Sequence, residues 1–249
     1  MSQKLNDFLE TLSKSPLTLA ANGQLKADIW QMAGIPLGDG KFWMYQDNNA
    51  IVKAANDNVD IEIPQFSAHN DQVQILDNPK QLYLTNSAYE PGQAGIIAFS
   101  CQMGAEIFKA DTKDYRDGFC AFNVLDFASA MVFDIVSNGT RVWAIYERLF
   151  IPGATTEKEA FTEVIPLVYT VRPNKAVVCT VVYNRQTDKT DYYLDQKLVF
   201  TADSIPVKVD RLQTGFGIIT LHPIANGKSV SCRGQGGRGN WSDFAVYRG

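Results

Sequence analysis

Two acidic residues lie in neighbouring apolar runs joined by a turn-forming segment. Asp134 lies within the run 131–136, and Glu147 lies within the run 141–149. Two carboxyl groups held near each other can act as a general acid and a general base, because their surroundings move their pKa values apart. Asp134 and Glu147 are therefore the candidate catalytic residues.

The segment between the two runs predicts how the strands pair. Asn138-Gly139 between apolar runs indicates a hairpin with a two-residue turn, since both central residues must accept a positive φ. In that register Asp134 pairs with Trp143, and Glu147 lies four residues further along the strand. At about 3.3 Å per residue the carboxyl groups would be about 13 Å apart, wider than the about 5 to 9.5 Å of the carboxylate pairs that hydrolyse glycosides.

The alternation of side chains assigns the hairpin residues to two faces. The face with charged and aromatic side chains is the candidate ligand face, on which Trp143 would form an aromatic wall. The opposite face is apolar except at its end and is predicted to face the core. The ligand face carries Asp134, Arg141, Trp143, Ile145 and Glu147, and the core face carries Met131, Phe133, Ile135, Val142, Ala144, Tyr146 and Arg148.

Structural roles compete with these functional ones. Asp134 could instead form a cross-strand ion pair with Arg141, its diagonal neighbour on the same face. Arg148 lies on a mainly apolar face, where a buried carboxylate such as Asp126 could neutralise it. The competing hypothesis is that Tyr146, Glu147 and Arg148 line a ligand pocket.

Histidine and cysteine residues give little sign of a metal or nucleophile site. His69 and His222 are the only imidazoles and neither neighbours a serine or cysteine in a nucleophile motif, so His ligation of a metal is not expected. A calcium site built from Asp side chains and backbone carbonyls stays open, although the chain has no Asp-x-Asp-x-Asp loop. Free structural thiols are expected for the widely spaced Cys101, Cys120, Cys179 and Cys232.

Charge and hydropathy exclude two classes of partner. The formal charge of -4 comes from 27 acidic and 23 basic residues that are scattered in both signs, so a nucleic-acid surface is not expected. The apolar runs are far shorter than the about 20 residues of a membrane helix, so no membrane partner is expected. The first residues lack the apolar stretch and cleavage site of a signal peptide, which predicts a cytoplasmic protein.

The remaining sequence predicts one all-β domain over 1–249 with a short amphipathic helix within 1–15. Leu5, Phe8, Leu9 and Leu12 recur at helical spacing, and the helix should dock on the body or on a partner. Predicted strands follow at 42–45, 59–63, 73–75, 81–85, 95–101, 119–123, 131–136, 141–149, 177–183, 192–200 and 241–247. Regular strand spacing without intervening helices is typical of an antiparallel β-sandwich.

The segment before the last strand is rich in glycine and arginine. Residues 231–238 are predicted to form a flexible loop, in which Arg233 and Arg238 could bind an anionic ligand at the edge of the sandwich.

Two late segments resemble a known fold family. The hairpin that ends in Tyr193-Leu194-Asp195-Gln196-Lys197-Leu198-Val199-Phe200 is similar to the late hairpin of concanavalin A-like lectins and glucanases, with Gln196 in place of the usual glycine. The segment 239–246 is similar to the terminal strand of those domains. The resemblance implies an antiparallel jelly-roll sandwich.

A narrower resemblance covers 118–206. Asp126-Phe127-Ala128-Ser129-Ala130-Met131-Val132-Phe133-Asp134 and Arg141-Val142-Trp143-Ala144-Ile145-Tyr146-Glu147-Arg148-Leu149 resemble an uncharacterised bacterial domain family with many actinomycete members. This resemblance implies a coherent domain and no catalytic residue. The Glu-x-Asp-x-x-Glu strand of laminarinase-like enzymes does not occur in the chain.

Three hypotheses about function follow. The first is a cofactor-independent cyclase or isomerase acting on a small organic ligand, with Glu147 or Asp134 as general acid, Arg148 as anchor, and Tyr146 and Trp143 as stacking walls. The alternative is a carbohydrate-binding lectin-like module or glycoside hydrolase, which the fold resemblance implies. The third is a structural sandwich that forms a homo-oligomer through its N-terminal helix.

Overall fold

A computed structural model describes residues 3–38, 41–71, 79–151 and 154–249. The helix α1 covers Gln3–Glu10, and a 3-10 helix covers Tyr115–Asp117. In chain order the strands are β1 (Ser13–Pro16), β2 (Ala20–Ala21), β3 (Gln24–Leu25), β4 (Trp30–Met32), β5 (Gly34–Gly38), β6 (Lys41–Met44), β7 (Ile51–Ala55), β8 (Asn58–Ile63), β9 (Pro79–Thr85), β10 (Ile96–Phe108), β11 (Phe119–Asp126), β12 (Met131–Ser137), β13 (Val142–Arg148), β14 (Phe161–Pro166), β15 (Val177–Asn184), β16 (Lys189–Leu194), β17 (Lys197–Ala202), β18 (Gln213–Ile219) and β19 (Gly236–Arg248).

Two antiparallel sheets form a concanavalin A-like β-sandwich, as the sequence predicts. The back sheet has the strand order β17-β16-β15-β10-β19-β8-β7, with β1 paired to the end of β19. The front sheet has the order β14-β13-β12-β11-β18-β9-β4. The pairs β2-β3 and β5-β6 form separate hairpins.

The main core lies between the sheets and is rich in aromatic side chains. Phe216 of the front sheet packs against Trp30, Trp241 and Phe244, with ring centroids 5.1, 5.3 and 5.7 Å away. The predicted core face of the β12–β13 hairpin is confirmed, because its apolar residues from Met131 to Tyr146 belong to this core. Burial of these side chains supplies the hydrophobic free energy that holds the sheets together.

A second apolar cluster covers the outer face of the front sheet, the face turned away from the back sheet. Strand residues such as Val132, Trp143 and Ile145 form its floor. Tyr45 and the half-buried Trp43, both from the segment at the end of the β5–β6 hairpin, pack over that floor. The segment that carries Trp43 and Tyr45 therefore covers part of the outer face, which is not open to solvent along its whole length.

The N-terminal helix docks on the body. Leu5 and Leu9 of α1 are buried against Ala98 and Val182 on the outer side of the back sheet. The helix ends at Glu10, earlier than the apolar spacing predicts, because the chain turns into β1 and pairs with β19.

One strand prediction was wrong, and another lies outside the described residues. The expected strand 192–200 is divided into β16 and β17 by a turn in which Asp195 and Gln196 have φ of 44° and 69°. The expected strand 73–75 falls within residues that the structure does not describe.

The glycine-rich segment forms strand and not a flexible loop after residue 235. Gly236 and Gly237 pair with β10, and Gly237 also pairs with Ile63 of β8. A Cβ on Gly236 would lie 2.4 Å from the carbonyl oxygen of Pro64, so the glycine permits a close approach that a larger residue would block.

Candidate functional site

The β12–β13 hairpin has a register two residues away from the prediction. Asp134 pairs with Ile145 and not with Trp143, and Val132 pairs with Glu147. The strands end at Ser137 and Val142, so the loop covers 138–141, and across it the Asn138 N–H donates to the Arg141 carbonyl at 3.2 Å. The Asn138 side-chain oxygen accepts bonds from the Thr140 and Arg141 N–H groups at 3.0 and 2.9 Å, as in an Asx turn.

Contacts with β10 hold this wider loop. The Asn138 carbonyl accepts a bond from the Ile107 N–H at 3.2 Å. A Cβ on Gly139 would lie 2.4 Å from the Ala105 carbonyl oxygen. The turn thus packs against a strand of the other sheet, and that tertiary contact overrides the local preference for a two-residue turn.

The corrected register halves the predicted offset between the acidic residues. A shift of two positions preserves the faces, so Asp134 and Glu147 still share the outer face of the front sheet. They are now diagonal neighbours, two residues apart along the strands. Such neighbours lie about 7 Å apart, so the predicted 13 Å separation was wrong and the distance argument against a carboxylate pair fails.

Asp134 is an almost fully enclosed carboxyl group. Its exposed fraction is 5%, its Oδ1 accepts a bond from the Val124 N–H at 3.0 Å, and its Oδ2 accepts one from Asn123 Nδ2 at 2.5 Å. Burial raises the pKa of Asp134 well above its ordinary value, more than the two hydrogen bonds lower it, and the charge of Glu147 raises it further. Burial therefore favours the protonated form of Asp134.

Glu147 is the more accessible member of the pair. It is half-buried, and its Oε2 accepts a bond of 2.8 Å from the Thr162 hydroxyl on the neighbouring strand. Burial raises the pKa of Tyr115, and the nearby carboxylates of Asp114 and Glu147 add to that effect. Tyr115 comes from the 3-10 helix and packs its ring 6.2 Å from that of Trp143. Glu147, Thr162 and Tyr115 thus lie around the same part of the outer face.

Trp143 does not present a stacking surface in this structure. It lies on the predicted face but is only 3% exposed, because the second apolar cluster covers its ring. Sugar rings stack on exposed aromatic faces, so Trp143 would need movement of this cover to contact a ligand.

Two predicted ion pairs were wrong. Arg141 lies in the four-residue loop and is exposed, while both oxygens of Asp134 bond to Asn123 and Val124, so the Asp134–Arg141 pair does not form. Asp126 instead accepts the N–H groups of Ala128 and Ser129 in the β11–β12 turn.

Arg148 and Tyr146 lie away from the acidic pair. Arg148 bonds to the Ser129 carbonyl at 3.2 Å and contacts Glu159 at 3.5 Å, and not Asp126. Tyr146 faces the core, where its ring stacks 6.1 Å from Phe133 and meets Phe161 at 4.9 Å. Side chains of β13 alternate between the two faces of the sheet, so Tyr146 and Arg148 lie on the opposite face from Glu147. The predicted single pocket of these three residues is therefore not formed.

The structure brings together a buried charged cluster that the sequence does not reveal. Asp117 Oδ1 bonds to His222 Nε2 at 2.5 Å and to an Arg233 NH1 group at 3.0 Å, and Asp117 Oδ2 accepts the Asp111 N–H. Asp117 and His222 are each 7% exposed. Their separation of 105 positions explains why no local motif indicates the contact.

Neighbouring polar contacts surround Lys80, which is fully buried. Its Nζ donates to the Ala68 carbonyl at 2.5 Å and to the Ser231 hydroxyl at 2.9 Å, and lies 3.5 Å from the Cys232 sulfur. Gln235 links the two groups by donating from Nε2 to the carbonyls of Asp117 and Ser231. Arg233 thus serves this network, while Arg238 lies near Asp60 at 3.8 Å on the back sheet, so the two arginines do not form one anion site.

Neither a metal cluster nor a membrane helix is present in the described ranges. Within them, no three His, Cys, Asp or Glu side chains lie close enough to hold a metal ion. No helix in the part of the chain that the structure describes is long and apolar enough to cross a membrane.

The model of a family of unknown function, DUF6081, matches residues 11–248. The chain belongs to the DUF6081 family. None of the curated proteins matches it. The family model spans the whole sandwich, whereas the narrower resemblance covered 118–206 alone.

Solved structures similar to this DUF6081 chain include glucanases and a carbohydrate recognition domain. An endo-1,3-β-glucanase from Streptomyces sioyaensis matches with a TM-score of 0.57 and 12% identity over 95% of this chain and 97% of its own. The Bacillus licheniformis β-glucanase matches at 0.53 and 11%, covering 96% and 98%. The carbohydrate recognition domain of Emp47p matches at 0.55 and 9%, covering 96% and 97%. At these identities the matches show the shared fold.

Proposed function

We propose that this DUF6081 chain is a carbohydrate-binding protein whose site lies on the outer face of the front sheet, around Glu147. The fold is that of glucanases and of a carbohydrate recognition domain, which supports a glycan ligand. The earlier cyclase or isomerase hypothesis has no such support among the similar structures. The observation that carries the proposal is the difference in exposure between the enclosed Asp134 and the half-buried Glu147.

The enclosed Asp134 favours binding over glucanase-type hydrolysis. A retaining glycosidase needs one ionised carboxylate as nucleophile beside a protonated acid, about 5 to 5.5 Å away. Burial raises the pKa of Asp134 and disfavours its ionised form, and its two neighbours on the same face of β12 are Val132 and Val136. With no Glu-x-Asp-x-x-Glu segment in the chain, β12 lacks the carboxylates of a laminarinase-like strand.

The groups around Glu147 suit a polyhydroxylated ligand. Glu147 supplies an acceptor, the exposed Thr162 supplies a hydroxyl that can donate or accept, and the half-buried Tyr115 supplies a phenol and a ring face. Sugars bind to such mixed sets because each hydroxyl both donates and accepts, and each ring has an apolar side.

The direct test is glycan binding by matched variants. An oligosaccharide array would identify a ligand, and calorimetry would then compare the wild type with Glu147→Gln and Glu163→Gln. Glu163 lies on β14 opposite Tyr146 and faces the other way from Thr162, so it is the control. We expect at least a tenfold loss of affinity in Glu147→Gln, about 1.4 kcal/mol, and none in Glu163→Gln. Equal glycan affinity in all three proteins would overturn the proposed site.

Acid–base catalysis is a second candidate that one observation favours. Asp134 and Glu147 occupy diagonal strand positions about 7 Å apart, a spacing compatible with the about 6.5 to 9.5 Å between the carboxyl groups of inverting glycosidases. In this mechanism Asp134 would protonate the leaving oxygen and Glu147 would activate water, which requires the chain that encloses Asp134 to move aside. Release of reducing ends from β-glucans, abolished in both Asp134→Asn and Glu147→Gln, would favour hydrolysis over binding alone.

A further inference from the structure

The network beside Lys80 places an amine and an accessible thiol side by side. Lys80 Nζ lies 3.5 Å from the Cys232 sulfur, which itself donates to the Ala68 carbonyl at 3.3 Å. Lys80 is the second residue of the front-sheet strand β9, and Cys232 lies in the segment before β19. Two reactive side chains from distant parts of the chain thus meet within van der Waals contact.

Cys232 differs from the other three cysteines in its exposure. Cys101, Cys120 and Cys179 are buried, whereas Cys232 is partly exposed. Burial raises the pKa of the Cys120 thiol to about 12, and it raises the pKa values of Cys101 and Cys179 as well. Oxidation follows thiolate character and access, so the three buried thiols are protected and an oxidant from solvent reaches Cys232 first.

We propose that Lys80 and Cys232 form a covalent sulfur–nitrogen crosslink when the protein meets hydrogen peroxide. In the first step the Cys232 sulfur attacks the peroxide, an S–O bond forms, the O–O bond breaks, and water leaves. The sulfur is oxidised by two electrons, and the peroxide is reduced.

In the second step the Lys80 amine, as the free base, attacks the sulfur of the sulfenic acid. An S–N bond forms, the S–O bond breaks, and the departing oxygen takes a proton from nitrogen to leave as water. The sum is one thiol, one amine and one peroxide giving one sulfenamide and two waters. No other reactant is needed, and backbone amides form the same bond with sulfenic acids.

The surroundings of Lys80 favour this outcome over further oxidation. Ser231 Oγ accepts from Lys80 Nζ at 2.9 Å and contacts the half-buried Ser229 hydroxyl at 2.8 Å, which gives the ammonium proton a path toward solvent. The amine is held at the sulfur before oxidation, so its attack is intramolecular and competes well with a second peroxide from solution.

The crosslink would join two segments that are separated by 152 positions. Closing so long a loop restricts the unfolded chain, so the oxidised protein should melt several degrees higher than the reduced protein. Reduction by a thiol would cleave the S–N bond and reverse the shift.

The experiment is mass spectrometry of the full chain after treatment with hydrogen peroxide. We expect an intact mass lower by two hydrogens, about 2 Da, a crosslinked peptide containing Lys80 and Cys232, and recovery with dithiothreitol. Cys101→Ser should behave like the wild type, whereas Cys232→Ser should show no mass loss. In Lys80→Arg the reaction should stop at the oxidised thiol, with a gain of oxygen and no crosslink.

Three results would overturn the proposal. These are oxygen addition at Cys232 with Lys80 unmodified, a mass gain of about 14 Da from an oxygen retained between nitrogen and sulfur, or no reaction at Cys232. A peptide map of the wild type distinguishes these three results from the crosslink, even if the Lys80→Arg variant does not fold.

Discussion

Asp134 and Glu147 are diagonal neighbours across β12 and β13, one an enclosed carboxyl group whose pKa burial raises and the other a half-buried carboxyl group. Their difference arises from position alone, because β12 is the more central strand and Glu147 lies near the end of β13. Burial disfavours the charged form where water is excluded, whereas the end of a strand leaves a carboxylate partly hydrated.

Asp134→Asn should change how stability depends on pH. The pKa of Asp134 is raised in the folded protein, so its contribution to stability is complete below the unfolded pKa of about 4 and is lost as pH rises through the folded value. The asparagine side chain has no carboxyl group to ionise, so the variant does not lose stability in this way. The free energy of unfolding of Asp134→Asn, relative to that of the wild type, should therefore rise by up to about 1.4 kcal/mol per pH unit above pH 4. Urea unfolding from pH 4 to 8 measures this, and parallel curves for the two proteins would refute it.

Asp117→Ala should be far more damaging than Asp114→Ala. Removing the Asp117 carboxylate leaves the buried His222 and the Asp111 N–H without their shared acceptor, at a cost of about 2 to 3 kcal/mol, whereas the partly exposed Arg233 can turn to water. Asp114 belongs to the same turn and pairs with the exposed Arg116, so its loss should cost about 1 kcal/mol. Chemical denaturation of both variants tests the contrast, and similar losses would contradict it.

Gly217→Ala should prevent the close pairing of β18 and β9. A Cβ there would lie 2.1 Å from the Gln81 carbonyl oxygen and 2.9 Å from the Leu82 Cα, both backbone atoms that cannot rotate away. We expect a loss of about 3 kcal/mol or more, or failure to fold. Gly104→Ala is the control, because its nearest neighbour would be 3.6 Å away. Melting temperatures of the two variants provide the measurement, and a Gly217→Ala protein as stable as Gly104→Ala would be inconsistent with this packing.

Gln196→Gly should stabilise the protein. Gln196 has a φ of 69° in the turn between β16 and β17, a left-handed conformation that costs a non-glycine residue about 1 to 2 kcal/mol. Glycine offsets part of this gain by adding freedom to the unfolded chain, so the net effect should be about 0.5 to 1 kcal/mol. Lys197→Gly, one residue later in β17, should destabilise instead. The turn geometry would be contradicted if thermal unfolding gave both changes the same sign.

Local patterns predicted the faces of the β12–β13 hairpin but not its register. Alternation places Phe133 inside and Asp134 outside whatever the turn length, because side chains repeat every two residues. The register depends on Asn138 and Gly139 packing against β10, a contact that spans the two sheets. Sequence reasoning on the hairpin alone therefore gave the wrong distance between the acidic residues.

The polar network was beyond prediction for a related reason. Lys80 and Ser231 are 151 positions apart, and Asp117 meets His222 only because the loops at one end of the sandwich converge. A solitary histidine and scattered lysines look like ordinary surface residues in sequence. Their burial becomes evident only when the strands that carry them are assembled.

The four tryptophans lie in different layers of the molecule. Trp30 and Trp241 are enclosed between the sheets. Trp143 and the half-buried Trp43 belong to the covered outer face of the front sheet. Fluorescence of the native protein therefore combines a deep pair of emitters with a pair near the proposed glycan site. A ligand that displaces the covering segment would shift the emission of Trp43 and Trp143 alone. Fluorescence of an unlabelled sample could therefore distinguish opening of the site from loosening of the core.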